Sequence, residues 1–202
     1  MPHTSRLFGV STILGKGHLF AADNGIHGVE LWQSDGTEIG TVMVKDINHQ
    51  GDSYPESLTD VNGILFFAAQ DGFHGEELWR SDGTDAGTFM VKDIVPGTDS
   101  SFSYAFTNVN GTLFFCSTGG LWKSDGTETG TVFVKEVFLY HTYDEPEERI
   151  GVNGTLFFIA DDGTELWNSD GTEVGTVLVK DITSDFPYLK DLTNVNLSLI
   201  HI

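Results

Sequence analysis

The feature that most constrains this chain is a repeat. Its four tryptophans, Trp32, Trp79, Trp122 and Trp167, are spaced 47, 43 and 45 residues apart. The text around them recurs as GVELWQSDGTEIGTVMVKDI from Gly28, GEELWRSDGTDAGTFMVKDI from Gly75, GGLWKSDGTETGTVFVKEV from Gly119 and GTELWNSDGTEVGTVLVKDI from Gly163. A second piece precedes three of them, VNGILFFAA from Val61, VNGTLFFCS from Val109 and VNGTLFFIA from Val152, with a degenerate LGKGHLFAA from Leu14 in the first. A period of this length is the mark of a repeat architecture, and it decides the fold before any local reading.

Each unit carries four short strand signals separated by turn chemistry. A weak first strand runs into an Asn-Gly pair (Asn62-Gly63, Asn110-Gly111, Asn153-Gly154). Both residues of such a pair tolerate positive φ, so they predict a tight antiparallel hairpin. The Leu-Phe-Phe run, Glu-Leu-Trp and Thr-x-x-Val-Lys-Asp-Ile supply strands two, three and four, and no window has a helical period. Strands two and four read as apolar on both faces, with Val42 and Val44 on one side and Met43 and Ile47 on the other. Two apolar faces imply a sheet sandwiched between sheets. The expected fold is all-β and β-propeller-like, about four four-stranded antiparallel blades of roughly 45 residues; a stacked array that never closes is the alternative. The copies fall at 1–47, 48–94, 95–137 and 138–182, with a fifth begun over 183–196, in one repeat domain spanning 1–196. The chain is expected to be an incomplete ring. Residues 197–202 read as a non-native tail, since they resemble the translation of a sequencing adapter at the end of a metagenomic fragment.

A symmetric loop between strands three and four predicts that Ser34 faces Thr41, Trp32 faces Met43 and Glu30 faces Lys45. Equivalent pairs are Trp79–Met90, Glu77–Lys92, Trp167–Leu178 and Glu165–Lys180. Opposite charges facing each other across strands set register. The third copy has Gly120 where the Glu should be, so Lys135 needs another partner.

Composition narrows function. The net charge is −20, which argues against nucleic acid and anionic membrane surfaces, and no apolar run is long enough to span a bilayer. The lone Cys116 aligns with Ala68 and Ile159 and reads as a small core residue.

The matches Glu30-Leu31-Trp32 through Asp35-Gly36-Thr37, Glu77-Leu78-Trp79 through Asp82-Gly83-Thr84, and Glu165-Leu166-Trp167 through Asp170-Gly171-Thr172 resemble the ELWxxDGT repeat family of bacterial secreted and surface proteins. The third copy departs at Gly120. The resemblance implies an extracellular or cell-surface scaffold or binding module, joined to further repeats of the same parent chain. It supplies no catalytic residues.

Candidate sites follow. The turns Asp35-Gly36-Thr37, Asp82-Gly83-Thr84, Asp125-Gly126-Thr127 and Asp170-Gly171-Thr172 read as structural, the Asp accepting backbone N–H bonds and the Gly supplying positive φ. Their carboxylates are also weak calcium candidates, though without the dense ligand spacing of a dedicated loop; no other cofactor is suggested. His27 and His74, in matching loops, could join Asp71 to bind a metal or sugar. The insert at 138–148 gathers Tyr140, His141, Tyr143 and Asp144, an aromatic and carboxylate mixture suited to carbohydrate. The expected function is a non-enzymatic module that binds a glycan or protein. The alternative is part of a polysaccharide hydrolase or lyase.

Overall fold

The computed structural model describes residues 8–13, 17–137, 149–160, 164–182, 192–195 and 198–200. They are all β. Sheet 1 contains β1 (Phe8–Ile13), β2 (Gly17–Asp23), β3 (Val29–Ser34) and β4 (Val42–Lys45); sheet 2 contains β5 (Glu56–Val61), β6 (Ile64–Ala69), β7 (Glu77–Ser81) and β8 (Phe89–Lys92). Sheet 3 contains β9 (Tyr104–Val109), β10 (Thr112–Ser117), β11 (Gly120–Ser124) and β12 (Val132–Lys135); sheet 4 contains β13 (Arg149–Val152), β14 (Thr155–Ala160), β15 (Glu165–Ser169) and β16 (Val177–Asp181). Each is an antiparallel four-stranded blade with its strands in sequence order, as in a β-propeller. β17 (Thr193–Val195) and β18 (Ser198–Ile200) pair as a separate hairpin, so residues 198–200, set aside above as tail, form a strand here.

The contacts divide the chain into two compact units, Met1–Phe106 with Gly126–Glu128, and Thr107–Asp125 with Thr129–Ile202. Within the first, Leu19, Leu31, Val44 and Ile47 from sheet 1 pack on Leu65, Phe67, Ala69 and Trp79 of sheet 2. The second repeats this arrangement: Phe114, Leu121, Val134 and Val137 of sheet 3 pack on Leu156, Phe158, Ala160 and Trp167 of sheet 4. Each large side chain so buried contributes about 1.5–3 kcal/mol. Cross-strand ring pairs recur inside the blades, with Phe67–Trp79, Phe115–Trp122 and Phe158–Trp167 centroids at 6.5, 6.3 and 6.3 Å. Cys116 is a buried free thiol, as expected of a core residue.

The Asn-Gly hairpins form as read. Asn62, Asn110 and Asn153 have φ of 55°, 49° and 52°, each followed by a positive-φ Gly, the pairing that a two-residue turn of this hand requires. Strand two is buried on both faces in two blades, in β6 from Leu65 through Ala69 and in β10 from Leu113 through Ser117, whereas burial alternates along β2 and β14. Strand four is not. Val42, Phe89, Val132 and Val177 are 42%, 43%, 38% and 44% exposed, because strand four lies at the edge of its sheet; in the first three blades its inward valine alone (Val44, Val91, Val134) is fully buried.

The register is half as expected. Trp32 faces Met43, Trp79 faces Met90 and Trp167 faces Leu178, and Ser34 meets Thr41 through a 2.7 Å hydroxyl contact. The Glu–Lys pairs do not form. Beyond each Trp the ladder slips by one residue, so Lys45, Lys92 and Lys180 face Leu31, Leu78 and Leu166. The extra residue of this bulge, Val44, Val91 or Val179, has no partner across the ladder.

Candidate functional site

Released from the expected pairing, Glu30 and Glu77 turn inward, and both are 0% exposed. The Glu30 carboxylate accepts hydrogen bonds from Ile47 N (2.8 Å), Asn48 N (3.3 Å) and Ser53 Oγ (2.7 Å). Glu77 accepts from Ile94 N (2.8 Å) and Val95 N (3.3 Å). These acceptors hold the connector that leaves strand four for the next blade. Burial pushes both carboxyls above their ordinary pKa, against the opposing pull of these hydrogen bonds. Glu165 is only partly buried and accepts from its neighbour Trp167 Nε1 at 2.8 Å. In the third blade a Cβ at Gly120 would collide with the Lys135 carbonyl, so the main chain there leaves no room for a side chain.

The lysines reach the next repeat instead. Lys45 Nζ lies 3.3 Å from Asp85 Oδ1 and donates to the Asp85 carbonyl at 3.2 Å. Lys92 donates to the Glu128 carbonyl, and Lys135 to the carbonyls of Glu173 and Thr176. Each binds the Asp-Gly-Thr turn of the following blade. Lys135 thus finds its partner in the way the other lysines do.

Those turns are closed networks. Asp35 Oδ1 accepts from Thr37 N (2.9 Å) and Thr37 Oγ1 (2.7 Å), Thr37 Oγ1 accepts from Gly40 N (2.9 Å), and Thr41 Oγ1 donates to the Thr37 carbonyl (2.6 Å). Asp82 and Asp170 repeat the pattern. The Thr37 and Thr172 hydroxyls, then their N–H groups, hold Asp35 and Asp170 below the usual carboxylate range. A Cβ at Gly40, Gly87, Gly130 or Gly175 would collide with the carboxylate of Asp35, Asp82, Asp125 or Asp170, which accounts for the invariant Gly of each turn. The four calcium candidates therefore stand in four separate turns, and the described residues contain no group of three or more His, Cys, Asp or Glu able to hold a metal.

At the opposite end of blades 1 and 2, the β2–β3 and β6–β7 loops interlock with the connectors between blades. Ser53 N donates to the Val29 carbonyl at 3.0 Å, which is also the alternative acceptor, at 3.0 Å, of the Ser53 hydroxyl that serves Glu30; Ser101 N and Oγ donate to the Glu76 carbonyl at 2.9 and 2.8 Å. The next residue of each connector is an aromatic in the left-handed region, Tyr54 at φ 46° and Phe102 at φ 51°. They are 45% and 69% exposed. A hydrogen bond to Asp52 raises the Tyr54 phenol pKa, and Asp52 Oδ1 also accepts from Val29 N at 2.7 Å. Ile26 and Phe73, at matching loop tips, are 82% and 65% exposed.

Of the residues singled out from sequence, Asp71 and His74 come together. Asp71 Oδ2 lies 2.9 Å from His74 Nδ1, while Asp71 Oδ1 accepts from Phe73 N and His74 N. Burial would raise the Asp71 pKa, but the bonds from His74 and Phe73 outweigh it and hold the group low; the bond to Asp71 raises His74. His27 instead contacts Asn24, with 2.9 Å between His27 Nδ1 and Asn24 Nδ2. Each histidine closes its own loop. Tyr140, His141, Tyr143 and Asp144 lie outside the described residues.

Sequence reasoning missed three features here. Tyr54 and Phe102 were hidden because their neighbours differ, although Ser53 and Ser101 recur before them. The third is Glu76, which occupies a position held by Val29, Gly119 and Thr164 in the other repeats. Burial, then the charge of Glu56, pushes its pKa up to about 7.

No family model matches the chain, and no curated protein matches it. Among solved structures it is similar to the computationally designed Ika8 protein, with a TM-score of 0.50 and 16% identity over 95% of this chain and 54% of the designed one. The chain thus spans about half the length of that protein, and the likeness is one of fold alone.

Proposed function

We infer that the chain is a non-enzymatic binding module of an exported bacterial protein of the ELWxxDGT kind, and that its ligand is a neutral glycan. The observation that carries this reading is the matched placement of Tyr54 and Phe102. A bulky residue in the left-handed region costs about 1–3 kcal/mol and persists only where the surroundings impose it. Here two connectors impose it at equivalent positions and leave both rings in solvent. Exposed aromatic faces suit the C–H faces of sugars, and Gln70 Nε2, which donates to the Asp52 carbonyl at 3.2 Å, brings an amide to the Tyr54 connector, with Asp71 and His74 following it in the chain. The net charge of −20 disfavours uronic or sulfated glycans.

The test is an array of neutral and acidic glycans probed with the full chain, followed by calorimetry on the hits. Binding to neutral glycans, weakened about tenfold by Phe102→Ala or Tyr54→Ala as for anchor aromatics generally, supports the reading. Absence of glycan binding, with a protein ligand captured through the same rings, would replace glycan by protein.

One observation favours the hydrolase or lyase alternative. With its pKa pushed up to about 7, Glu76 keeps its proton in part of the molecules at neutral pH, as a general acid needs, and it is not part of the repeat consensus. Polysaccharide turnover by the wild-type chain, lost in Glu76→Gln, would support this alternative; no turnover by the wild type removes it.

A further inference from the structure

The chain holds four Asn-Gly pairs, and Asn24-Gly25 differs from the other three. Asn62, Asn110 and Asn153 sit in the left-handed region inside hairpin turns, at φ 55°, 49° and 52°. In that conformation the nitrogen of the following Gly points away from the asparagine side chain. Asn24 is not left-handed. It opens the β2–β3 loop of the first blade, which the Asp23–Val29 pair closes. Asn24 and Gly25 are exposed, and a Cβ at Gly25 would meet nothing within 4 Å.

The groups around Asn24 have the roles of a reaction centre. Gly25 N donates to Asp23 Oδ1 at 2.7 Å, so a base stands on the nucleophile. Asn24 Oδ1 accepts from Ile26 N and His27 N, both at 3.0 Å, so two donors face the oxygen on which charge develops when the amide carbon is attacked. His27 Nδ1 lies 2.9 Å from Asn24 Nδ2, the nitrogen that would leave. The second blade has the acid at the same place: Asp71 precedes Gly72, and its Oδ1 accepts from Phe73 N and His74 N while its Oδ2 lies 2.9 Å from His74 Nδ1. The fold therefore accommodates a carboxylate there with the same bonds.

We propose that Asn24 is a self-deamidating site, at which Asp23, Ile26, His27 and Gly25 convert the amide to an acid. Gly25 N bonds to Asn24 Cγ and its proton passes to the Asp23 carboxylate. The tetrahedral oxygen is held by Ile26 N and His27 N. When it collapses, the Cγ–Nδ2 bond breaks, and His27 in its imidazolium form gives Nδ2 the proton with which it leaves as ammonia. Water returns the Asp23 proton to His27. A second water then adds across the Cγ–N bond of the cyclic imide, which leaves a carboxyl on Cγ and restores the Gly25 N–H. The product adds one negative charge beside His27 and gives the first blade the Asp–His loop that the second encodes.

Peptide mapping by mass spectrometry tests this on the full chain, incubated at neutral pH both folded and unfolded in urea, with released ammonia measured alongside. Asn24 is expected to convert at least about tenfold faster than Asn62, Asn110 and Asn153 in the folded chain, and faster than it does itself in urea, since positioned acids and bases accelerate at least that much. Asp23→Ala and His27→Ala should each slow Asn24 by about tenfold or more and leave the three hairpin sites unchanged, with circular dichroism verifying the fold. His27→Lys, which keeps a proton donor, should recover part of the rate. Slower conversion of Asn24 in the folded chain than in urea overturns the proposal. So does a folded-chain rate that neither Asp23→Ala nor His27→Ala reduces, which would leave only the ordinary reactivity of an exposed Asn-Gly pair.

Discussion

Glu30 accepts the Ile47 N–H at 2.8 Å from a fully buried position, joining the third strand of the first blade to the connector that leads out of it. Removing this acceptor strands Ile47 N and Asn48 N in the interior, while the Ser53 hydroxyl turns to the Val29 carbonyl 3.0 Å away. Unsatisfied buried groups cost roughly 1–3 kcal/mol each, partly relieved by water. Glu30→Ala and Glu77→Ala are therefore expected to destabilise by about 2–4 kcal/mol. Lys45→Ala, which breaks a surface contact, should cost about 0–1 kcal/mol. Urea unfolding of the three variants checks the order; equal losses in Glu30→Ala and Lys45→Ala would restore the simple cross-strand pair.

The Asp-Gly-Thr turns are expected to be structural. Gly87→Ala places a Cβ against the Asp82 carboxylate and should destabilise by more than ~2 kcal/mol. Asp82→Ala, which removes the acceptor of Thr84 N and Oγ1, should cost about 1 kcal/mol. Because that oxygen already serves the turn, neither calcium nor a chelator is expected to move the melting temperature. A saturable rise at low calcium would assign these carboxylates to the ion.

Glu76 should make stability pH-dependent. Its pKa is raised in the folded chain from 4.5 to about 7. Its contribution is thus fully present below pH 4.5, where both folded and unfolded chains hold the proton, and is lost as pH rises through about 7. Such a shift corresponds to at most about 3 kcal/mol, and solvent reaching this partly exposed group reduces it to ~1–2 kcal/mol. Subtracting the Glu76→Gln curve from the wild-type curve should isolate a fall of this size between pH 4.5 and 8. Parallel curves would place the carboxyl in ordinary solvent.

Much of the blade was legible because its turns have local causes. Asn62-Gly63 fixes its hairpin by backbone conformation alone, and Ser34–Thr41 follows from counting across the loop. The count failed one residue beyond Trp32, since a bulge is invisible to an alternating pattern. The charges of Glu30 and Lys45 then suggested a pair, whereas the ladder slips and the glutamate is taken by backbone N–H groups some 17 residues ahead. A hint lay in Ser53 and Ser101, which recur without a strand to explain them. Val42 and Phe89 misled in the other direction: apolar character on both sides of strand four suggested burial that an edge strand does not achieve. The left-handed aromatics were illegible because Tyr54 and Phe102 share neither residue type nor flanking sequence. Only the fold shows them to be equivalent.

Calorimetry of glycan binding by the wild type, by the double variant Tyr54→Ala/Phe102→Ala and by Asp82→Ala tests most directly the claim that the connector rings, and not the repeat consensus, carry recognition. The expected result is undiminished affinity in Asp82→Ala and a loss of at least about tenfold in the double variant, with all three chains folded by circular dichroism. Equal affinity in the wild type and the double variant would contradict it.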